Sequence, residues 1–172
     1  MTEKDTFAVG DFVVLESKGV FQIEALEDVE LAGSNEECFV LKKEFNKAIH
    51  KNFISVGQAP KKLRLVCKNM TLEQILKWAQ ENSFDMPDRK TNAFKKIQFF
   101  DEYIKNDGFE GLLKAYWGAT LDLSLLGREE KRLISYKEKL EIALVEEMSC
   151  AYGLSLDEAK SLLIKTTVKI CA

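Results

Sequence analysis

The chemically reactive side chains of this 172-residue chain do not form a catalytic pattern. Its one histidine, His50, lies in a basic run and outside any serine or cysteine motif, so a nucleophile–histidine relay is not expected. The cysteines are widely spaced, with neither a Cys-x-x-Cys pair nor zinc-site spacing; they are Cys38, Cys67, Cys150 and Cys171. We interpret them as buried or tolerated thiols in a reducing compartment. The sequence therefore predicts no catalytic residue and no metal site.

Glycine motifs and acidic pairs also lack the setting of a reactive site. Gly10-Asp11 and residues 108–111 have neither the lysine nor the strand–turn–helix context of a phosphate-binding loop. The pairs Glu129-Glu130 and Glu146-Glu147 lie among lysines in helical sequence, as on solvated helix faces. We therefore expect a protein that is not an enzyme, needs no cofactor and binds other macromolecules.

Lysines and arginines are the side chains that could bind an acidic partner, although the total charge is acidic. The chain has 25 Lys and Arg against 28 Asp and Glu, a net charge of −3 and a pI of about 5.4. This balance argues against a strong free-standing nucleic-acid binder. The charges are segregated, however: residues 1–41 carry two lysines and ten acids, and residues 42–68 carry eight bases and one acid.

This segregation of charge has two interpretations. Acidic and basic strands can pair across one sheet, which neutralises both. Alternatively, the basic segment forms an edge that attracts an acidic partner surface. A small local patch of lysines is enough for a protein that is held at DNA by another protein.

The first 68 residues are predicted to form a small antiparallel barrel. Short β-branched and aromatic runs alternate with turns, one of them at residues 32–35. The predicted strands are 12–15, 20–23, 38–41, 48–54 and 63–66. Five short strands separated by turns indicate a Tudor-like or SH3-like β-barrel, which we assign to residues 1–68.

The apolar spacing becomes helical after residue 70, and residues 69–172 are predicted to form a compact all-α domain of about five helices. The first helix begins at a capping-box pattern, Thr71 with Gln74. The predicted fold class is therefore α+β, with a β-barrel followed by a helical domain.

Local motifs predict where the later helices begin and end. Asp88 is expected to cap the second helix, and residues 106–108 to stop it. Gly153 is expected to end the fourth helix, and Ser155 with Glu158 to cap the fifth. The predicted inward face of the second helix consists of Ala93, Ile97, Phe100 and Ile104.

The sequence predicts neither a secretory signal nor a membrane-spanning helix. The N-terminal residues are partly acidic without an apolar run, and no stretch approaches the ~18 continuous apolar residues of a membrane helix. We expect a cytoplasmic protein with no membrane partner, and a monomer.

Two motifs resemble the CarD/CdnL family of bacterial RNA-polymerase-binding transcription regulators. Residues 7–14, Phe-Ala-Val-Gly-Asp-Phe-Val-Val, followed by residues 19–24, resemble the family's opening, which is similar to that of the polymerase-interacting domain of transcription-repair coupling factor. Residues 128–147 resemble its later helix, and Asn106-Asp107 takes the place of its Gly-Asp turn. The resemblance spans roughly residues 7–165.

The resemblance implies a Tudor-like domain that binds the RNA polymerase β subunit, and thus association with the nucleoid. The helical domain would contact promoter DNA at the upstream edge of the bubble and stabilise the open complex. The polymerase contact is expected on the fourth strand, at His50, Lys51 and Asn52.

The chain departs from the family pattern at several positions. Leu15-Glu16 replaces a Tyr-Pro, and Ile54-Ser55 replaces a Val-Pro. Asn92 stands where the family has the tryptophan that wedges at the edge of the bubble. The usual wedge residue is therefore absent from its place.

A helical wheel suggests another DNA-contact surface. With Ile97 inward, a stripe of lysines and aromatics points outward, where lysines could neutralise phosphates and an aromatic could stack at a distorted base step. Phe99 is either this aromatic or packs under a neighbouring helix, and Tyr103 is expected to pack. The predicted DNA-contact residues are Arg89, Lys90, Asn92, Lys95, Lys96 and Phe99.

Two other functions remain open at this point. The loss of the tryptophan suggests a module that binds polymerase without touching DNA. The third hypothesis is an unrelated small enzyme with a barrel and a helical cap. The lack of a nucleophile, a metal-ligand set or a phosphate loop argues against it.

Overall fold

The structure, a computed structural model, describes residues 7–15, 18–31, 33–45, 48–66, 74, 75, 77, 85–126 and 130–171. The chain divides into two compact units, Met1–Val66 and Cys67–Ala172. The predicted boundary lies after Lys68. The first unit contains the strands and the second contains the long helices.

The first unit is an antiparallel sheet of five strands in the order β4-β3-β2-β1-β5. The strands are β1 (Phe12–Leu15), β2 (Gly19–Leu31), β3 (Ser34–Phe45), β4 (Ala48–Ser55) and β5 (Leu63–Leu65). Within the described ranges β4 and β5 are the two edges, so the expected closure into a barrel is not confirmed. The coarser prediction of an antiparallel sheet followed by helices is confirmed.

Side chains alternate between faces along a strand, and one face of the sheet carries the main buried cluster of this unit, whereas Cys38 and Val40 are buried on the other face. Val13 pairs with Phe21, and Ile23 with Leu41, and all four side chains are buried. The buried cluster consists of Val13, Leu15, Phe21, Ile23, Phe39, Leu41, Ala59 and Leu63. Burial of this apolar face drives the folding of the unit.

The hairpin of β2 and β3 is longer than the sequence predicts. Residues 24–31 and 34–37 are strand, although half of them are acidic. Asp28 lies directly opposite Glu37, a like-charge pairing that disfavours a sheet. The backbone ladder nevertheless continues to the turn, where Gly33 adopts a positive φ of 86°. Charged side chains are tolerated because this part of the hairpin is largely exposed to solvent.

A single helical turn, α1 (Ala59–Lys62), precedes β5 and was not predicted. Pro60 lies in its first turn, where its fixed φ fits a helix and its missing N–H costs nothing. Ala59 is wholly buried and belongs to the core cluster of this unit.

The second unit contains α2 (Ala93–Leu126), α3 (Lys131–Tyr152) and α4 (Leu156–Cys171). Gln74, Ile75 and Lys77, in the first predicted helix, are also helical, but the rest of that helix and its capping box at Thr71 lie outside the described residues. The predicted second and third helices are joined in α2, so the predicted number of helices is not confirmed.

Helix α2 contains a kink where the sequence predicts a stop. Gly108 has φ 58° and ψ −119°, outside the helical region, and only glycine adopts such angles readily. The arms 93–107 and 109–126 then pack closely: a Cβ at Gly118 would lie 2.6 Å from the ring of Phe100, and one at Gly111 would overlap the carbonyl of Tyr103. The kink therefore creates a tight helical hairpin.

The core of the second unit lies between this hairpin, α3 and α4. Trp117, Leu133, Leu144 and Leu163 are each at most 1% exposed. The predicted ends of the later helices are present: Gly153 adopts the left-handed conformation after α3. None of the described helices has the length and apolarity needed to cross a membrane.

Candidate contact surfaces on strand β4 and at the start of helix α2

Strand β4 holds the predicted polymerase contacts at an open edge of the sheet. His50 and Lys51 are exposed and Asn52 is half-buried. The three side chains do not form one surface, because neighbouring residues of a strand point to opposite faces. Lys51 lies on the outer face, whereas His50 and Asn52 lie at the margin of the core face, opposite Lys43 and Leu41.

On the outer face Lys51 belongs to an ion-pair cluster. Its Nζ lies 2.8 Å from one carboxylate oxygen of Glu24, and the Nζ of Lys42 lies 3.1 Å from the other. Hydrogen bonds from Lys51 and Lys42 hold the pKa of Glu24 below its ordinary value, and the bond to Glu24 raises the pKa of Lys51. Acidic and basic strands thus neutralise each other here, as the first interpretation of the charge pattern proposes.

On the other face a second set of polar contacts surrounds His50 and Asn52. Lys18 donates a hydrogen bond through Nζ to the Oδ1 of Asn52 at 2.8 Å. Lys43, the cross-strand partner of His50, donates to the carbonyl of Lys18 at 3.3 Å and lies 5.8 Å from the ring centroid of Phe21. Cationic side chains therefore occur on both faces of the β4 edge.

Two apolar residues of this surface were missed. Ile49 and Phe53 flank Lys51 at a spacing of two residues and are 59% and 45% exposed. The alternation of a strand places all three side chains on one face, a relation visible in the sequence once β4 is accepted as an edge strand. The outer face of β4 thus presents an apolar–basic–apolar row.

The second candidate surface lies before and within the first turn of α2. Asp88 was expected to cap this helix, and this is wrong: its Oδ1 accepts a hydrogen bond from the backbone N–H of Lys90 at 2.8 Å, inside the preceding turn. The cap is Asn92, whose Oδ1 accepts from the N–H of Lys95 at 3.0 Å. Asn92 therefore has a structural role that its prediction as a DNA contact did not include.

Basic side chains surround this helix start. Arg89, Lys90 and Lys95 are exposed. Phe94, which was missed, is 59% exposed beside Lys95. The start of α2 therefore combines three cations with an exposed aromatic ring.

Lys96 does not belong to this surface, and the prediction that it points outward is wrong. Its side chain is 1% exposed, and its Nζ lies 2.9 Å and 2.7 Å from the two carboxylate oxygens of Asp122. The fold-back at Gly108 brings these residues of the two arms together. A buried lysine requires such a partner, because an unpaired buried charge is costly.

Phe99 and Tyr103 pack against neighbouring residues and do not form an outward aromatic stripe. Phe99 is half-buried and makes edge-to-face contacts with Phe100 and Tyr103, at centroid distances of 5.9 and 5.4 Å. Tyr103 donates a hydrogen bond to the carbonyl of Asp85 at 3.0 Å. The exposed aromatic at the basic helix start is thus Phe94 and not Phe99.

The described residues also include metal-ligating and nucleophilic side chains. In those ranges no group of three or more His, Cys, Asp or Glu side chains is placed to hold a metal ion. Cys38 is buried, and this burial raises the pKa of its thiol, which lowers its reactivity.

A comparison with protein-family models finds no match for the chain, and a comparison with curated proteins finds none either.

Proposed function

We propose that this protein is a non-enzymatic transcription regulator that binds the RNA polymerase β subunit and contacts promoter DNA near the upstream edge of the bubble, stabilising the open complex. The first unit is the Tudor-like polymerase-binding module, and the second is the DNA-proximal module. The observation that carries the proposal is that each unit presents its own surface of exposed basic and apolar side chains, one on β4 and one at the start of α2. The opening motif at residues 7–14 supplies the identity of the proposed partner.

The proposed polymerase contact uses the edge of the sheet. An edge strand has backbone N–H and C=O groups that can pair with a strand of another protein. Ile49 and Phe53 would bury apolar area against that partner, and Lys51 would meet an acidic residue. Affinity would come from the backbone and apolar contacts, and orientation from the charges.

The proposed DNA contact is electrostatic with one aromatic group. Arg89, Lys90 and Lys95 would neutralise phosphates, and Phe94 would stack at a distorted or opened base step. Three cations are too few for strong independent binding in a protein whose net charge is −3. The DNA contact would therefore depend on recruitment by polymerase.

The polymerase contact is tested with a pulldown on a fragment containing the β-subunit lobe. Lys51→Glu and Phe53→Ala are expected to reduce capture strongly. Lys61→Glu makes the same charge change on α1, at another exposed lysine, and is expected to bind as wild type does. Absence of wild-type binding would contradict the proposal.

A second candidate function is a polymerase-binding module without DNA contact. It is favoured by the burial of Lys96 and by the capping role of Asn92, which remove two of the predicted contacts. Open-complex lifetime separates the two functions. The triple variant Arg89→Ala/Lys90→Ala/Lys95→Ala shortens the lifetime if DNA is contacted and leaves it unchanged otherwise.

The aromatic contribution is tested in the same lifetime assay. Phe94→Ala is expected to shorten the lifetime of the open complex, whereas Leu125→Ala, at an exposed apolar residue near the other end of α2, is expected to leave it unchanged. Equal effects of the two substitutions would remove Phe94 from the proposed DNA contact.

A further inference from the structure

The outer face of the sheet places one carboxylate between two lysines of neighbouring strands. Lys42 on β3 lies directly opposite Lys51 on β4, so two like charges would face each other at a close cross-strand distance. Glu24 on β2 relieves this repulsion by accepting from both ammonium groups, at 3.1 and 2.8 Å. The three side chains therefore form one anion-centred cluster.

The cluster remains accessible to another molecule. The side chains of Lys42, Lys51 and Glu24 are 36%, 50% and 34% exposed. An ion pair this exposed is weak, because water competes with it. A carboxylate of a bound partner can replace Glu24 at small cost.

The position of the cluster in the sheet also bears on binding. Lys51 is the middle member of the exposed row Ile49, Lys51, Phe53 on the edge strand. A partner that covers Ile49 and Phe53 would also cover the ammonium group of Lys51. Covering it would strip water from a cation, which is unfavourable unless the partner supplies an anion there.

We propose that Glu24 is a built-in competitor for the acidic residue of the partner that binds β4. The partner would present an Asp or Glu flanked by apolar residues at a spacing of two, to match the row on β4. In the unbound protein Glu24 occupies the two lysines, and on binding the partner's carboxylate shares or replaces it. This inference rests on the proposed polymerase-binding function of the β4 edge.

If Glu24 competes with the partner, substituting it should raise the affinity for the partner, whereas substituting a residue that only positions Lys51 should lower it. Removing its charge leaves Lys42 and Lys51 facing each other without the carboxylate that bonds to both, with Glu27 still acting on Lys51 through its charge, so a partner carboxylate gains a stronger attraction. Because exposed ion pairs are weak, the expected gain in affinity is modest, roughly two- to fivefold. A residue that merely held Lys51 in place would give weaker binding when changed.

The test measures the dissociation constant for the β-lobe fragment by titration. Glu24→Gln is expected to bind about two- to fivefold more tightly than wild type, with a steeper loss of affinity as salt is raised. Glu30→Gln, which removes the same charge elsewhere on β2, is the matched control for net charge and is expected to change affinity little. Thermal melting checks that both variants are folded.

A double variant connects the gain with Lys51. In a Lys51→Gln background, Glu24→Gln is expected to change the logarithm of the dissociation constant by at most half as much as in wild type. The reason is that Glu24 then has only one of its two lysine partners. If the wild-type protein binds the fragment and Glu24→Gln binds it with the same or lower affinity, the inference is overturned and the proposed function still stands. No wild-type binding would overturn the proposed function and the inference with it.

Discussion

Lys96 and Asp122 form a buried ion pair inside the second unit, in which each charge depends on the other. Their side chains are 1% and 2% exposed, and the two Nζ–Oδ distances are 2.9 and 2.7 Å. Desolvation of both groups is expensive, so the pair is favourable only while both members are present. It therefore secures the packing of one arm of α2 against the other.

Substitution of one member is expected to destabilise the protein strongly. Lys96→Met leaves Asp122 buried without its cation and should lower the free energy of unfolding by about 3–5 kcal/mol. Chemical denaturation measures this loss. Lys95→Met, the exposed neighbour on the same turn, is the control and should change stability by no more than about 0.5 kcal/mol. The double variant Lys96→Met/Asp122→Leu should recover most of the loss, and failure to recover would contradict the charge explanation.

At the scale of elements, the hairpin within α2 depends on the absence of side chains at two glycines. Gly111 and Gly118 lie where the arms approach each other, against Tyr103 and Phe100. A glycine inside a helix costs about 1 kcal/mol relative to alanine, so the close contact must compensate for it. The arms could not pack in this way with larger residues there.

Gly111→Ala is expected to destabilise the second unit despite its better helix propensity. The new Cβ would overlap the backbone carbonyl of Tyr103, and separating the arms should cost about 1–3 kcal/mol. Gly57→Ala, where no heavy atom lies within 4 Å of the added Cβ, serves as the control in the same denaturation assay. Equal stabilities for the two variants would refute close packing at Gly111.

Helix α4 begins with a capping box that gives stability a dependence on pH. The backbone N–H of Ser155 donates to the Glu158 carboxylate at 2.8 Å, and its hydroxyl donates at 2.7 Å. These bonds, the backbone one first, hold the pKa of Glu158 below its ordinary value of 4.5. The folded state therefore binds this proton less readily than the unfolded chain does.

The stabilisation from Glu158 is consequently present above its ordinary pKa and is lost as the pH falls through the lower pKa of the folded state. Wild-type protein should lose thermal stability over this acidic window more steeply than Glu158→Gln. Melting curves across the window test this, with Glu138→Gln on the exposed face of α3 as a control. Parallel curves for wild type and Glu158→Gln would contradict the assignment.

At the scale of the whole molecule, the chain consists of two units with separate cores. The cluster around Ile23 and Leu41 belongs to the sheet, and the cluster around Trp117 and Leu144 belongs to the helices. Each unit buries its own apolar residues, which is the requirement for independent folding. The proposed function uses this division, since one unit would bind polymerase and the other would contact DNA.

We expect the fragments Met1–Val66 and Cys67–Ala172 to fold separately. Each should show a cooperative thermal transition by circular dichroism. The sheet fragment should be the less stable, because small domains bury a smaller share of their surface. A fragment without a cooperative transition would show that the units stabilise each other.

Features whose cause lies among neighbouring residues could be predicted from the sequence. The order of strands and helices follows from local periodicity, and the break at Gly108, the end at Gly153 and the capping box at Ser155 follow from short motifs. Such features are readable because their physical cause lies within a few residues along the chain. The exposed row on β4 was likewise available from period-two spacing, although only its lysine was selected.

Packing between segments that are distant in sequence settles which polar residues of an element are buried. The wheel for the start of α2 took Ile97 as inward, and Ile97 does pack against the core, but the wheel left Lys96 with the outward residues although its side chain is wholly buried. Its partner Asp122 is distant in sequence and reaches it only because the helix folds back at Gly108. Phe94 is exposed, whereas Phe99 packs against Phe100. Burial depends on what packs against an element, and that is not a local property of the chain.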